Sequence, residues 1–210
     1  MAAEIKFEFD EITVKSIEKK LGRMKSEAPK ALKNALNATA KDARKDLSHK
    51  AQETYAVKIG GFNRQMKIKP ATAGNLVAVI EARGEHLEFK YFSVQGGHGP
   101  HGSPLTVLIN KHHGRKTFGS GSGAFKNNVA ASGQTRKKAT AKGAAGSAVR
   151  HVAAAKRVGR SRLKIEKLFS VSVPDMIGNK SEVYGVVEPN IMDNLRSNVD
   201  KQVARILAGG

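Results

Sequence analysis

The sequence of 210 residues contains no cysteine and no tryptophan, and aromatic residues make up only 5% of it. Without cysteine the chain can form neither disulfides nor thiolate metal sites. Because large aromatic side chains are scarce, leucine, isoleucine, valine and alanine must supply most of a core. Apolar residues make up 40% of the sequence, which is enough for a core and argues against global disorder.

Long apolar runs are missing as well. No window approaches the roughly 20 consecutive apolar residues that a membrane-spanning helix needs. The opening stretch, MAAEIKFEFDEITVKSIEKK, lacks the apolar core of a secretory signal peptide. We therefore expect a soluble protein that is made in the cytoplasm and has no membrane partner.

Common catalytic motifs are also missing. The sequence has no G-x-S-x-G elbow, no H-E-x-x-H motif and no P-loop. The glycine-rich run 119–125 lacks the Lys-Ser/Thr ending of a P-loop. Asp42 and Asp46 lie one helical turn apart among lysines, which is typical of a solvated helix face. We predict that the chain is not an enzyme and takes no cofactor.

Two short segments, GGHGPHG at 96–102 and KHHGRK at 111–116, gather His98, His101, His112 and His113. Imidazoles brought together across a hairpin could bind a metal ion. However, no cysteine or carboxylate lies nearby in the sequence to complete such a site, and the adjacent lysines and arginine would repel a cation. A polar loop is therefore favoured over a metal site, and no metal ligand is predicted.

Acidic residues are absent from the whole stretch 89–165, while the chain has 37 lysines and arginines against 18 acidic residues and a net charge of +19. This balance favours a polyanionic partner: nucleic acid, an acidic protein surface or an anionic membrane. Cations interleaved with small residues can neutralise phosphates, which gives salt-dependent binding without sequence preference. No aromatic residue lies between Phe125 and Phe169 to stack on bases, so base readout is not expected.

Ten cations of this stretch are the predicted contact residues for DNA or for an acidic partner. They are Lys126, Arg136, Lys137, Lys138, Lys142, Arg150, Lys156, Arg157, Arg160 and Arg162. The sequence favours neither partner over the other. A solvated loop, or an arm that docks on a neighbouring acidic subunit, would have the same composition.

The flanks of this stretch show the periodicity of folded protein. Alternation over 5–10 predicts a strand, and apolar residues spaced three and four apart predict a helix that includes Ile17, Leu21 and Met24. The strongest pattern is a helix from about Pro29 to Tyr55. Its expected buried stripe comprises Leu32, Ala35, Leu36, Thr39, Ala43, Leu47 and Ala51. A second long helix is predicted to open at Glu188–Pro189, with Ile191, Leu195, Val199, Val203, Ile206 and Leu207 as its stripe.

Between these helices, strands are predicted at 75–83, 87–94 and 104–110, and a weaker one at 124–132. The pattern predicts an α+β fold in which a long N-terminal and a C-terminal helix pack on an antiparallel sheet. Residues 1–94 and 159–210 would form the structured body. Residues 95–158 would be a long basic loop excursion, a glycine- and alanine-rich insertion with short strands, within one domain overall.

One segment, GRSRLKIEKLFSVSVPDMIGN at 159–179, combines basic residues, an alternating strand, a Ser-Val-Pro step and a short helical turn. It resembles the C-terminal signature of the minor tail protein Z and neck or tail-completion family of long-tailed bacteriophages. Residues 162–165 match its basic and apolar start, and residues 172–176 match its Ser-x-Pro-x-Met step. Residues 28–82 are similar to the N-terminal half of the family, and 183–207 to its terminal helix.

This resemblance implies a structural virion protein in the neck or at the head-proximal end of the tail, which completes the tail and joins it to the head. It implies a homo-oligomeric ring around the DNA channel, hexameric by the resemblance. Adjoining neck, tail-terminator or tail-tube proteins would be partners, and the phage DNA end could be bound non-specifically. The protein would reside in the virion after synthesis in the bacterial host cytoplasm.

The middle of the chain, 95–158, matches no part of the family, and no catalytic residues carry over. Two alternatives stay open. One is a free, sequence-independent nucleic-acid-binding protein, which explains the charge but not the two structured ends. The other is a small basic ribosome-associated protein.

Overall fold

The computed structural model describes residues 2–9, 11–58, 62–96, 104–118, 124–129, 151–157 and 165–209. Helices and antiparallel strands combine in the predicted α+β fold. The helices are α1 (Glu11–Leu21), α2 (Ala28–Thr54), α3 (Val173–Ile177) and α4 (Tyr184–Gly209). The strands are β1 (Ala2–Glu8), β2 (Met66–Lys69), β3 (Val77–Arg83), β4 (His86–Glu88), β5 (Ser93–Gln95), β6 (Leu105–Leu108), β7 (Arg115–Phe118), β8 (Ala124–Val129), β9 (His151–Arg157), β10 (Ile165–Lys167) and β11 (Phe169–Ser172).

The chain divides into two compact units. Unit 1 comprises Met1–Glu53, Gly60–Glu85 and Ser172–Gly210, and unit 2 comprises Thr54–Ile59 and His86–Val171. This division follows strand pairing, because β3 pairs with β1 and β2 whereas β4, the next strand in the chain, pairs with β11. The sequence-based boundaries at 94/95 and 158/159 followed composition instead.

The sheet of unit 1 has the order β1-β3-β2, with β3 antiparallel to both neighbours. Register places Ile5 and Ile68 on either side of Ile80, so the three residues form a row on one face of the sheet. Ile5 and Ile80 are buried, whereas Lys6 and Lys67, which alternate with this row, are exposed. The alternation predicted for the first strand therefore separates a core face from a charged face.

Helix α2 buries the stripe that its sequence predicts. All seven predicted stripe residues are at most 1% exposed. The one polar member, Thr39, is satisfied because its Oγ1 accepts a hydrogen bond from Asn198 Nδ2 of α4 at 3.1 Å. Asn37, on the half-buried side of the helix, accepts from Ala71 N–H at 2.8 Å and donates to Ala71 C=O at 3.1 Å. The helix is thereby fixed to α4 and to the loop after β2.

The two ends of the chain share one buried cluster in unit 1. It contains Ile17 and Leu21 of α1, Ala28 and Leu32 of α2, and Val203 of α4. Removing apolar surface of this kind from water contributes about 25 cal/mol per Å². Segments that are distant in sequence are therefore held together mainly by hydrophobic packing.

Helix α4 begins earlier than predicted. It starts at Tyr184, and Pro189 lies inside it rather than at its first position. The start is fixed because the N–H groups of Val183 and Tyr184 both donate to Asn179 C=O, at 3.0 and 2.9 Å. The predicted stripe is buried or half-buried except at Leu207, which is 49% exposed, so that member was wrong.

The segment 87–94 is not one strand, as the sequence predicted, but β4 and β5 joined by a 3₁₀ turn at Phe89–Tyr91. The cause is the pair Phe89 and Phe92, which are each 2% exposed and meet edge to face with ring centroids 6.3 Å apart. Residues three apart point to opposite faces of a strand but to the same side of a 3₁₀ turn. Burying both rings together therefore breaks the strand.

Unit 2 contains the sheets β5-β6-β7 and β10-β9-β8 and the strand pair β11-β4. The predicted strand at 104–110 corresponds to β6, whose Leu105 and Val107 are fully buried, and the weaker one at 124–132 corresponds to β8. Strands β7 and β9 were not predicted. Among the residues that the structure describes, no helix combines the length and the apolar character needed to cross a bilayer.

Candidate nucleic-acid interface

The positive charge of the chain is concentrated in unit 2. Unit 1 contains 20 lysines and arginines against 16 acidic residues, and unit 2 contains 17 against 2, so their net charges are +4 and +15. Clustered positive charge of this kind is the electrostatic footprint of a polyanion-binding surface. Unit 2 is therefore where an interface with nucleic acid or another polyanion is to be sought.

Three of the ten predicted contact residues lie on described strands, and the sheet register separates them. Lys126 of β8 pairs with Ala154 of β9, and Lys156 of β9 pairs with Ala124 of β8, which puts the two lysine positions on the same face. Arg157 follows Lys156 directly and so occupies the opposite face. On β10, Glu166 pairs with Lys156.

The other seven predicted contact residues lie outside the described residues. They are Arg136, Lys137, Lys138, Lys142, Arg150, Arg160 and Arg162. The same holds for His98 and His101. The role of the seven cations as contact residues stays a prediction.

The turn that joins β6 to β7 presents a group of cations and imidazoles that the contact prediction did not include. Lys111, His112, His113 and Lys116 are all exposed, and Arg115 is half-buried. The run KHHGRK was visible in the sequence but suggested only a polar loop or a metal site. We refer to residues 110–116 as the basic turn.

Backbone pairing with the segment that follows α2 holds the root of the basic turn. Asn110 and Tyr55 form an antiparallel bridge. On either side of it, Ala56 N–H donates to Ile109 C=O at 2.9 Å and Lys111 N–H donates to Thr54 C=O at 2.8 Å. The turn therefore begins on a backbone ladder made with residues more than fifty positions earlier in the sequence.

Side chains fix the turn further. The Oδ1 atom of Asn110, a residue only 9% exposed, accepts a hydrogen bond from His112 N–H at 2.8 Å. Arg115 donates from Nη1 to Ser93 C=O and from Nη2 to Ser93 Oγ, both at 3.1 Å. Gly114 has φ +71°, a left-handed conformation that a side chain would strain. Asn110, Gly114 and Arg115 thus shape the turn, while its lysines and histidines face solvent.

The described residues contain no group of three or more histidine or acidic side chains that could hold a metal ion. Within the basic turn, His112 and His113 lie next to each other and are flanked by lysine and arginine rather than by carboxylates. Such surroundings suit an anion better than a cation.

A charge cluster around Glu81 in unit 1 has a structural role. Glu81 of β3 is 4% exposed, and its Oε1 accepts hydrogen bonds from Arg83 Nη2 at 2.7 Å and Lys69 Nζ at 2.9 Å. These two hydrogen bonds, of which the one from Arg83 has the larger effect, hold the pKa of the Glu81 carboxyl below its ordinary value. The carboxylate is thus neutralised within its own sheet and offers no free charge to a ligand.

The Ser-x-Pro-x-Met step is a helix start rather than a binding site. Ser172 is the N-cap of α3: its Oγ accepts from Asp175 N–H at 3.3 Å, and Ser172 N–H donates to Asp175 Oδ2 at 3.3 Å. Pro174 and Met176 are buried, and Met176 is fully so. The step therefore turns the chain sharply and inserts the short helix into the core of unit 1, against β1 and β3.

The chain was compared with protein-family models, with curated proteins and with solved structures, and none of the three comparisons found a match. Its function must therefore be argued from its own residues.

Proposed function

We propose that the chain is a structural virion protein of a long-tailed bacteriophage, in the neck or at the head-proximal end of the tail. In this role it completes the tail and joins it to the head as a homo-oligomeric ring around the DNA channel. Its partners are further copies of itself and the adjoining neck, tail-terminator or tail-tube proteins. The role requires no catalytic residue.

The observation that carries the proposal is the order of the family-like segments together with their packing. Most residues of these segments, 28–53, 60–82, 172–179 and 183–207, belong to unit 1. There, α2 and α4 are joined by the hydrogen bond from Asn198 to Thr39 and by the cluster that contains Leu32 and Val203. The segments that resemble the phage family are separated in the sequence but pack together in one compact unit. This packing supports the interpretation that they belong to one structural unit.

The charge division between the units supports the same role. A subunit of a ring must contact its neighbours without strong repulsion, and unit 1, with 20 cations against 16 acidic residues, is suited to that. Unit 2, with 17 against 2, is suited to a polyanion. Because a ring repeats each subunit's charge, weak phosphate contacts of single subunits add up to strong collective binding.

The test is electron microscopy of the particles produced when this gene is deleted from the genome that encodes it, with the intact gene supplied in trans as the control. We expect full heads beside finished but unattached tails, and restored particles in the control. Tails of abnormal length, or none, would move the role to tail assembly. Normal infectious particles from the deletion would refute the virion role.

The second candidate is a free, sequence-independent nucleic-acid-binding protein, which the +15 charge of unit 2 favours. The two candidates differ in the DNA affinity that a single copy of the chain needs. A free binder holds duplex DNA tightly as a monomer with a steep salt dependence, whereas a ring subunit needs only a few weak contacts. Tight monomeric binding together with unaffected particles would establish the second candidate.

A further inference from the structure

We infer that the basic turn, residues 110–116, is a preformed contact site for the phosphate backbone of duplex DNA. The inference deepens the proposed function and rests on it, because the virion role is what would bring the chain into contact with DNA. It concerns residues outside the ten predicted contacts.

The chemistry of the basic turn fits phosphate. Lys111, His112, His113 and Lys116 present their side chains to solvent within six consecutive positions. The stretch 89–165, in which the turn lies, contains no acidic residue in the sequence. Lysine ammonium groups and imidazole N–H groups donate hydrogen bonds to phosphate oxygens and carry no base specificity.

The geometry of the turn favours binding because it is set before a ligand arrives. Its root is held by the ladder to Thr54 and Ala56, and its far side by the two hydrogen bonds from Arg115 to Ser93. The hydrogen bond from His112 N–H to Asn110 Oδ1 and the left-handed Gly114 define the path of the backbone between them. A rigid turn loses little conformational entropy when it binds, so a few contacts suffice for measurable affinity.

Duplex DNA fits the turn better than an acidic protein does. Protein interfaces obtain most of their energy from buried aromatic, arginine or large apolar anchors. The exposed residues of the turn include no aliphatic, phenylalanine, tyrosine or tryptophan side chain, and its one arginine is engaged with Ser93. Phosphate contacts need only cations and polar donors, which are what the turn exposes.

The test compares the full-length chain with the variant K111Q/K116Q by fluorescence anisotropy on a short labelled DNA duplex over a series of salt concentrations. Each phosphate contact contributes about 0.9 to the slope of log K against log salt, so we expect the slope to fall by nearly 2. The matched control is K41Q/K45Q, which removes the same charge from two exposed positions on α2. We expect the control to keep the slope of the unaltered chain.

A second variant, Gly114→Ala, keeps every charge but places a side chain at φ +71°. If turn geometry matters, it weakens DNA binding several-fold while circular dichroism shows an unchanged fold. The inference is overturned if K111Q/K116Q has the slope of its control, or if both double variants lose the same slope, since total charge would then account for binding. Binding to poly-glutamate, which stands in for an acidic protein, is measured in parallel. The inference is also overturned if K111Q/K116Q loses only its binding to poly-glutamate, because the turn would then be a contact site for an acidic protein.

This assay uses only the purified chain and DNA, whereas the virion role is tested on particles. If the assay showed that the turn does not contact DNA, the proposed role in joining head and tail would be unaffected. If the gene deletion gave normal particles, the inferred DNA contact would be unaffected. The two proposals therefore fail separately.

Discussion

Substituting Leu32 and Val203 together tests whether the two ends of the chain share one core, on which the proposed function depends. Leu32 is 1% exposed and Val203 is 8% exposed, and both belong to the same buried cluster. Leu32→Ala removes three carbons, which is about 2.4 kcal/mol of transfer free energy, and the cavity left behind raises the cost to about 2–5 kcal/mol. Val203→Ala removes two carbons, about 1.6 kcal/mol before any cavity cost.

The assay is urea denaturation of both single variants and the double variant, followed by circular dichroism. Residues that share a cluster and its cavity show a coupling of about 0.5–3 kcal/mol, so we expect the double variant to deviate from the sum of the single ones by that amount. Ile12→Ala, at a position 78% exposed, is the control and should change the free energy of unfolding by less than about 0.5 kcal/mol. Strictly additive effects at Leu32 and Val203 would refute the shared cluster.

Two further predictions concern single side chains of unit 1. Ser172→Ala removes the cap of α3 and should lower the free energy of unfolding by about 1 kcal/mol, measured in urea beside the exposed control Ser197→Ala; equal stability of the two variants would contradict the capping role. Glu81 has a lowered pKa in the folded state, so its stabilisation is complete above the ordinary pKa of a glutamate and is lost as the pH falls through the lowered value. Glu81→Gln should therefore be less stable than the unaltered chain at neutral pH, and the difference should shrink in acid. Melting temperatures recorded across that range check this, and a difference independent of pH would count against it.

Local sequence was sufficient to predict the long helices. The stripe of α2 was predicted completely, because helical periodicity is a property of one contiguous segment and each of its positions meets the same core. The start of α4 was misplaced since Pro189 was taken as the first helical residue, while Asn179 C=O, which lies outside the apolar pattern, accepts the first N–H groups. Pro189 is the sixth residue of α4, beyond the first turn in which proline is favoured, so the preference of proline for the first helical position did not apply here.

The strands were predicted less completely, because a strand is stabilised by its neighbours. Strand β9 has the sequence HVAAAKR, whose alanines have little intrinsic preference for a strand, and it is held between β8 and β10. The interruption at Phe89–Tyr91 arises from the packing of Phe89 on Phe92. Neither the pairing of β9 with its neighbours nor the packing of the two phenylalanines can be predicted from the propensities of single residues.

The sequence by itself determined the amphipathic helices, the α+β class and the concentration of cations between residues 89 and 165, since these are sums over neighbouring residues. Only the tertiary structure decided which strands pair and therefore which positions lie side by side, as the placing of positions 126 and 156 on one face of the β8-β9 pair shows. It also decided that KHHGRK is a fixed turn rather than a polar loop. The bonds that fix it come from Thr54, Ala56 and Ser93, and contacts at such sequence separations depend on how the whole chain packs.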